Sequence, residues 1–446
     1  MASELEQMRD GRLLLVLGIA LFVLCGLALA VSGGRPNSDF RFVYNGVRCL
    51  IRGVDAYKYE EFVRVYEADG GQFGTGQQRV RHLEMAHHMY LPSSAVILPL
   101  GFLPWSWAEI AWWGLTAGSL IAGCVLIWRV SAQYAPVLAG GSLAIALATS
   151  WVLLILGNVA GLVVGLCLVA AWSFIEGQLI WLGICCLAFG LMLKPHDAGL
   201  IWLFFLVAGR SYRRYAIQTA AVSAAASLPL FLWATAISPH WPTELRENLG
   251  AISVPGGLND FSARSMAGHG LERVIELPAA ISALTGDASF VSALSYTVCG
   301  AVCLIWVAML VMKPATRRTS WFALAACAAL TMLPVYHRMY DAKLLILTIP
   351  AFSILWREGG ATAWVALTLN ALLLTFAGDI QWTLTVGLID RLPFMPVSIS
   401  THPEWQMIPI PLLLLLVALF YIWAYLRRAP TLHCGKQADK NAYVNG

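Results

Sequence analysis

The sequence predicts an all-α integral membrane protein of about twelve transmembrane helices, with interfacial helices in its first outside loop. Three observations lead there. Of the 446 residues, 59% are hydrophobic and only 12% charged, where a soluble protein carries roughly a quarter charged residues. The mean hydropathy is +0.70, and apolar runs near the ~20 residues that cross a bilayer recur along the chain. The cations that close those runs are Arg129, Arg210, Arg213, Arg214, Lys313, Arg317, Arg318, Arg357, Arg427 and Arg428. They fall on one side when the runs alternate in direction, as the positive-inside bias requires. A net charge of +4 is too small to suggest nucleic acid as a partner.

In chain order, the first apolar run, Leu13 to Val31, follows Arg9 and Arg12. Its length suits a retained span rather than a cleaved leader. Residues 1–12 then form a cytoplasmic N-terminus, 13–428 one polytopic domain, and 429–446 a polar cytoplasmic tail. Further spans are expected at 107–129, 136–156, 158–174, 178–193, 197–208, 214–237, 291–312, 319–337, 341–356, 361–378 and 409–427. The pairs that meet at Gly157-Asn158 and at Lys194-Pro195 read equally as single broken helices. Leu91 to Pro104 is apolar and proline-rich and reads as a re-entrant or interfacial piece. Outside loops fall at 32–106, 238–290 and 379–408.

In the first of these loops, Ser38 can cap a helix running from Asp39 to Arg52. Phe40, Val43, Tyr44, Val47, Leu50 and Ile51 share one face, and Arg41, Asn45, Arg48 and Arg52 the other. Such a helix lies in the interface with its cations toward lipid phosphate. A second helical piece at 77–89 carries His82, Glu84, His87 and His88, and Gly70 to Gly76 reads as a loop. Most cysteines sit in apolar runs as small core residues, not as a disulfide framework; Cys49 stands in the outside loop without an obvious partner.

Ionisable residues in membrane segments mark candidate sites, because burial there costs kilocalories. Asp39, Gly157-Asn158, Lys194-Pro195-His196-Asp197 and Tyr336 to Lys343 all fall at outside ends of spans. An acid in the first helical turn with cations behind it suits a lipid-phosphate substrate and a base beside it. The plainer reading of Asp39 is a charge that complements the helix dipole. For Lys194 the plainer reading is a kinked helix with a snorkelling lysine. For His337, Arg338, Asp341 and Lys343 it is a loop closed by an Arg338–Asp341 ion pair. His-Leu-Glu-Met-Ala-His-His at 82–88 lacks the His-Glu-x-x-His spacing of a zinc helix, so no metal is expected. The chain has no phosphate loop, dinucleotide fingerprint or Gly-x-Ser-x-Gly elbow. Trp105, Trp107, Trp112 and Trp113 mark a membrane interface.

Taken in order, these residues resemble glycosyltransferase family 87. Ser38-Asp39-Phe40, Tyr44 and Gly53-Val54-Asp55-Ala56-Tyr57 look like the family's opening after its first helix. Tyr90-Leu91-Pro92, Leu98-Pro99-Leu100 and Leu103-Pro104 resemble its Tyr-x-Pro, Pro-Leu and Leu-Pro segment. Gly157-Asn158 stands where many members have Gly-Gln or Gly-Asn, and Lys194-Pro195 is similar to the family's Lys-Pro. Asn259 to Ser262 loosely resembles an Asn-Gln-Ser motif, and Arg338-Met339-Tyr340-Asp341 resembles Arg-x-Tyr-Asp. The resemblance covers 13–427; His88 and Leu91 replace a more proline- and lysine-rich entry.

The resemblance implies a GT-C glycosyltransferase fold and a polyprenyl-phosphate-mannose-dependent mannosyltransferase. The donor is then a polyprenyl-phosphate sugar, with mannose first among the sugars. The acceptor is a glycolipid, or a lipid-linked or membrane-adjacent glycan. Asp39 matches the family's acid and would deprotonate the acceptor hydroxyl in one inverting displacement. The departing phosphate needs cations. Arg41, Arg48, Arg52, His88, Asn158, Lys194, His337, Arg338 and Asp341 are the residues assigned to the donor phosphate and substrates. No metal and no cofactor are implied. The protein is expected in the plasma (inner) membrane, with its site facing outside and its work in cell-envelope glycolipid synthesis. Two other functions share these features. A lipid-linked-sugar transporter or flippase would also use basic grooves and broken helices, though inverted repeats, frequent in transporters, are not evident here. A glycan polymerase or ligase would use a polyprenyl-diphosphate donor.

Overall fold

The computed structural model describes residues 2–31, 38–72, 90–252, 274–389, 391 and 408–429. The chain runs through α1 (Ala2–Val31), then α2 (Ser38–Ile51) and α3 (Tyr59–Ala68) of the first loop, and the short α4 (Leu91–Gly101). There follow α5 (Trp105–Ser131), α6 (Pro136–Ala148), α7 (Trp151–Leu156), α8 (Val159–Glu176), α9 (Ile180–Leu193), α10 (Pro195–Val207) and α11 (Arg210–Ile237). The second loop contributes α12 (Trp241–Ile252) and α13 (Leu277–Ser282). Last come α14 (Ala288–Met312), α15 (Arg317–Thr331), a 3₁₀ helix (Met339–Leu347) that continues into α16 (Thr348–Glu358), α17 (Gly360–Phe376), α18 (Asp379–Ile389) and α19 (Pro409–Arg428). Among the described residues the β structure is one antiparallel bridge, Val274 to Arg338. The helical piece expected at 77–89, the Asn259 to Ser262 segment, most of the third outside loop and the tail lie outside the described residues.

Among the described residues, eight stretches are long and apolar enough to cross a membrane: Glu4–Ala28, Trp105–Ser131, Pro136–Leu156, Val159–Glu176, Ser211–Ile237, Ala288–Met312, Met339–Glu358 and Pro409–Arg428. Four shorter apolar helices accompany them: Leu91–Gly101, Ile180–Leu193, Pro195–Val207 and Gly360–Phe376. The chain is an all-α multi-pass membrane protein. The span expected at 319–337 is helical only to Thr331, and every side chain from Thr319 to Thr331 is buried. A helix apolar on all sides is a core helix, and α15 is wrapped by protein.

Both uncertain breaks turn out to be chain reversals. Around Gly157 the chain folds back so that Gly161 packs on Leu153. Around Lys194 it folds back again. Gly183 rests on Phe174, Gly190 lies beside Cys167 and Ala198, and the Trp202 indole donates to the Ala216 carbonyl at 2.8 Å. The first helix is held by small residues: a Cβ on Gly140 would lie 2.1 Å from the Gly11 carbonyl oxygen, so α1 and α6 touch backbone to backbone.

Ion pairs gather at one end of the bundle. Arg317 pairs with Glu176, Arg318 with Glu358 at 2.8 Å, and Arg428 with Glu358 at 2.5 Å. Lys313 donates to the Leu426 carbonyl at 2.7 Å. The reversals at Gly157 and Lys194 lie at the opposite end of the same helices. There the first loop is built as a small domain of its own. Phe42, Cys49, Leu50, Tyr57, Phe62 and Tyr66 form a separate core, capped from the second loop by Trp241 and Leu245 of α12. Burial pushes the Cys49 thiol up to about 12, so it stays an unreactive core residue.

Candidate active site

The site is made where helices stop. Gly157 ends α7 with φ +62, a left-handed conformation that glycine adopts at little cost. Asn158 then caps α8: its Oδ1 accepts the Ala160 N–H at 2.9 Å. That bond turns the amide nitrogen outward. Nδ2 donates to Asp39 Oδ2 at 2.7 Å and to the Tyr340 hydroxyl at 3.1 Å, which uses both of its hydrogens. Asp39 is in the first turn of α2, and Phe40 after it stacks on Trp112 with ring centres 4.5 Å apart. The Trp112 indole in turn donates to the Gly157 carbonyl at 3.0 Å. The acid and its amide partner are thus fixed from both sides.

Behind Tyr340 lies a buried charge cluster. Lys194, in extended backbone between α9 and α10, reaches Asp341 Oδ1 at 2.5 Å and Asp197 Oδ2 at 3.2 Å. Its ammonium is 5.9 Å from the centre of the Tyr340 ring. Asp341 also accepts the Arg338 backbone N–H at 2.8 Å and so starts the 3₁₀ helix. The Arg338 guanidinium lies over the Tyr336 ring and donates to its hydroxyl. His337 is fully buried. Its Nδ1 is 2.8 Å from the Val335 carbonyl oxygen, and its Nε2 is 3.0 Å from Asp197 Oδ1. Both neighbours are acceptors, so the His337 ring is held from two sides. The cluster gathers two cations, Lys194 and Arg338, and the His337 ring around two carboxylates, Asp197 and Asp341. Cations gathered at one point suit an anionic ligand.

His196 stands at the open side of this cluster. Its ring meets that of His337 edge-on at 5.0 Å, and its Nε2 is 3.8 Å from Asp197 Oδ1. His196, Asp197 and His337 each place one ligand atom within 4.8 Å of the others, a spacing a metal ion could use. The electrostatics oppose it: an ion there would break the contact between His337 and Asp197 and sit beside the Lys194 ammonium.

One more acid borders the cluster. Glu276 precedes α13 in the second loop, outside the membrane-spanning segments, and is 4% exposed. Burial pushes its carboxyl up to about 7, opposed by the charge of His337.

The structure thus brings together Asp39, Asn158, Lys194, His337, Arg338 and Asp341 of the residues expected from sequence. It puts Arg41, Arg48 and Arg52 elsewhere. Arg48 pairs with Asp69 at 3.0 Å, Arg52 pairs with the same carboxylate, and Arg41 donates to the Asp69 carbonyl at 2.9 Å while lying 4.5 Å over the Trp105 ring. Their charge is spent on the end of α3, so the cation face of α2 is a clamp within the first loop. The Arg338–Asp341 side-chain pair is replaced by Lys194–Asp341, and Lys343 reaches away to the Thr149 hydroxyl at 2.7 Å. His88 lies outside the described residues. Sequence reasoning left out Glu276, and it named Asp197 and Tyr340 only as members of polar stretches, without a role. Asp197 had a signal, three residues after Lys194 behind a helix-starting proline. Glu276, a single acid in a long loop, had none.

The model of a protein family, glycosyltransferase family 87, matches residues 90–337. No curated protein and no solved structure gives a match.

Proposed function

The chain belongs to glycosyltransferase family 87 and is a membrane glycosyltransferase; on that premise we propose that it moves mannose from a polyprenyl-phosphate donor to a glycolipid or lipid-linked glycan, with Asp39 as general base. One observation carries this reading. Asp39 and a cluster with the buried cations Lys194 and Arg338 are joined through Asn158 and Tyr340. A base for an incoming hydroxyl and a cradle for a departing phosphate are what an inverting transfer from a lipid phosphate needs side by side.

In that reaction the acceptor oxygen forms a bond to the anomeric carbon on the face opposite the phosphate. Its proton passes to Asp39. The bond from the anomeric carbon to the phosphate oxygen breaks, and its electron pair leaves with polyprenyl phosphate. Asn158 keeps Asp39 aimed by its 2.7 Å bond. Asp197 and Asp341 hold His337 and Lys194 in place, so that the cations of the cluster meet the growing charge on the leaving group without rearrangement. The site works on the outer face of the plasma membrane and needs neither metal nor cofactor.

The test is transfer by purified protein in detergent, supplied with a glycolipid acceptor and one donor at a time. Polyprenyl-monophosphate mannose should give product with the anomeric centre inverted, read by the anomeric coupling in NMR. The same sugar on a polyprenyl diphosphate or a nucleotide should give none. Product from either of those donors alone would overturn the donor assignment, and retained configuration would overturn the single displacement.

A further inference from the structure

The strip before α13 is sewn onto the strip that carries His337. Ile275 N–H donates to the His337 carbonyl at 2.9 Å, Leu277 N–H to the Leu333 carbonyl at 2.9 Å, and Val274 bridges Arg338. Glu276 lies between these ties. It is buried, and no hydrogen bond or ion pair of its carboxyl is found among the described residues. His337 is the charged group that acts on it. Arg338, bridged to Val274, is the other cation of the adjoining strip, and among the described residues α14 and α19 are the elements packed most extensively against α13. α14 has no charged residue, and α19 has only Arg427 and Arg428 in its last turn, at the far end of the bundle. A buried carboxyl without a partner is costly. That cost is relieved by a ligand oxygen that accepts a hydrogen bond from the neutral acid.

We propose that Glu276 is a further substrate-binding residue: it binds as the neutral acid, donates a hydrogen bond to a phosphate oxygen of the lipid donor beside His337, and so couples phosphate binding to the uptake of one proton. This rests on the reading above that a lipid phosphate occupies the site. The balance is simple. A carboxylate and a solvent proton become a carboxylic acid, and that acid donates to the anionic phosphodiester oxygen; no covalent bond of the donor changes. The position of its titration near neutrality, set by burial, puts the effect within the working range of pH.

The sign follows. Ligand binds the protonated form, so affinity is full below about 7 and falls as pH rises through it. For one proton the loss between pH 6 and pH 8 is about tenfold. The probe is a polyprenyl methyl phosphate, a diester whose single charge does not change in this range, with dimethyl phosphate as the arm without a lipid. Titration calorimetry of the full chain in detergent, in two buffers of different ionisation enthalpy, reads both affinity and proton uptake. Wild type should bind the lipid diester about tenfold more weakly at pH 8 than at pH 6 and take up protons near neutrality. Glu276→Gln, which keeps a donor but does not titrate, should bind with less than about a twofold change and no uptake. If only the lipid arm binds, the chain supplies part of the affinity; if dimethyl phosphate binds with the same proton uptake, the phosphate alone suffices, and either result supports the linkage. Wild-type binding without proton uptake overturns the inference, and needs no variant that folds. The same pH dependence in Glu276→Gln overturns it too, and assigns the proton to another group. No binding of the lipid diester at any pH removes the reading it rests on as well.

Discussion

Lys194 shows how far a single residue's role depends on its neighbours. Read alone, it is a cation for a phosphate. In the structure it is shared between two buried carboxylates, 2.5 Å from Asp341 and 3.2 Å from Asp197. Removing it leaves Asp341 without its ion pair in the protein interior, while Asp197 keeps His337, a change that costs about 3–5 kcal/mol when a buried pair is broken. Lys194→Met should therefore melt well below wild type in detergent, and adding Asp341→Asn should restore part of the loss. An unchanged melting temperature in Lys194→Met would mean the pair is not formed. The chemistry of this position was legible in the sequence, since an ionisable residue interrupts an apolar run there. Its partner was not, because Asp341 lies 147 residues away and no local pattern connects them. The arginines of α2 failed for the same reason. Helical periodicity puts Arg41, Arg48 and Arg52 on one face, but Asp69, which claims them, is supplied by the end of another helix.

At the scale of elements, the turn between α7 and α8 joins structure to chemistry. Asn158 makes two kinds of bond with one side chain: Oδ1 caps α8, and Nδ2 holds Asp39 and Tyr340. They can be separated. Asn158→Ser keeps an acceptor for the cap and loses the reach to Asp39, so the melting temperature should stay near wild type while turnover falls. Asn158→Ala loses the cap as well and should cost about 1 kcal/mol more. Equal turnover in wild type and Asn158→Ser would show that Asp39 needs no such support. The extent of α2 was readable from spacing: Ser38–Ile51 in the structure against Asp39 to Arg52 expected. The span at 319–337 was not, because an apolar sequence cannot say whether lipid or protein surrounds it, and α15 is surrounded by protein.

For the whole molecule, the helices have two unlike ends. One is tied by Glu176, Arg317, Arg318, Glu358 and Arg428; the other carries Asp39, Asn158, Lys194 and His337. Lys and Arg in short loops set orientation, and on that ground we propose that the basic end lies in the cytoplasm and the site outside. In a cysteine-free background, a membrane-impermeant thiol reagent applied to intact cells should label a cysteine placed at the exposed Glu60 and spare one placed at the exposed Arg213. Labelling of Arg213→Cys and not Glu60→Cys would invert the protein and move its chemistry to the cytoplasm. The fold class and the two-ended layout were visible in composition and in the placement of cations. The way four separate chain breaks converge on one cluster was not, since it depends on how the helices pack.

If Asp39 is the base of a sugar transfer, one variant reveals it. Asp39→Asn keeps the size of the side chain and an acceptor for the Asn158 amide, but cannot take a proton. The account predicts a protein that is made, inserted and melted like wild type, with turnover lower by at least ~100-fold, the usual lower range for a lost general base. Asp55→Asn is the control: Asp55 accepts the Tyr57 N–H at 2.9 Å in a turn of the first loop, away from the cluster, and its loss should leave turnover within a few-fold of wild type. Near-normal transfer by Asp39→Asn, or abolished transfer by Asp55→Asn alone, would contradict the account.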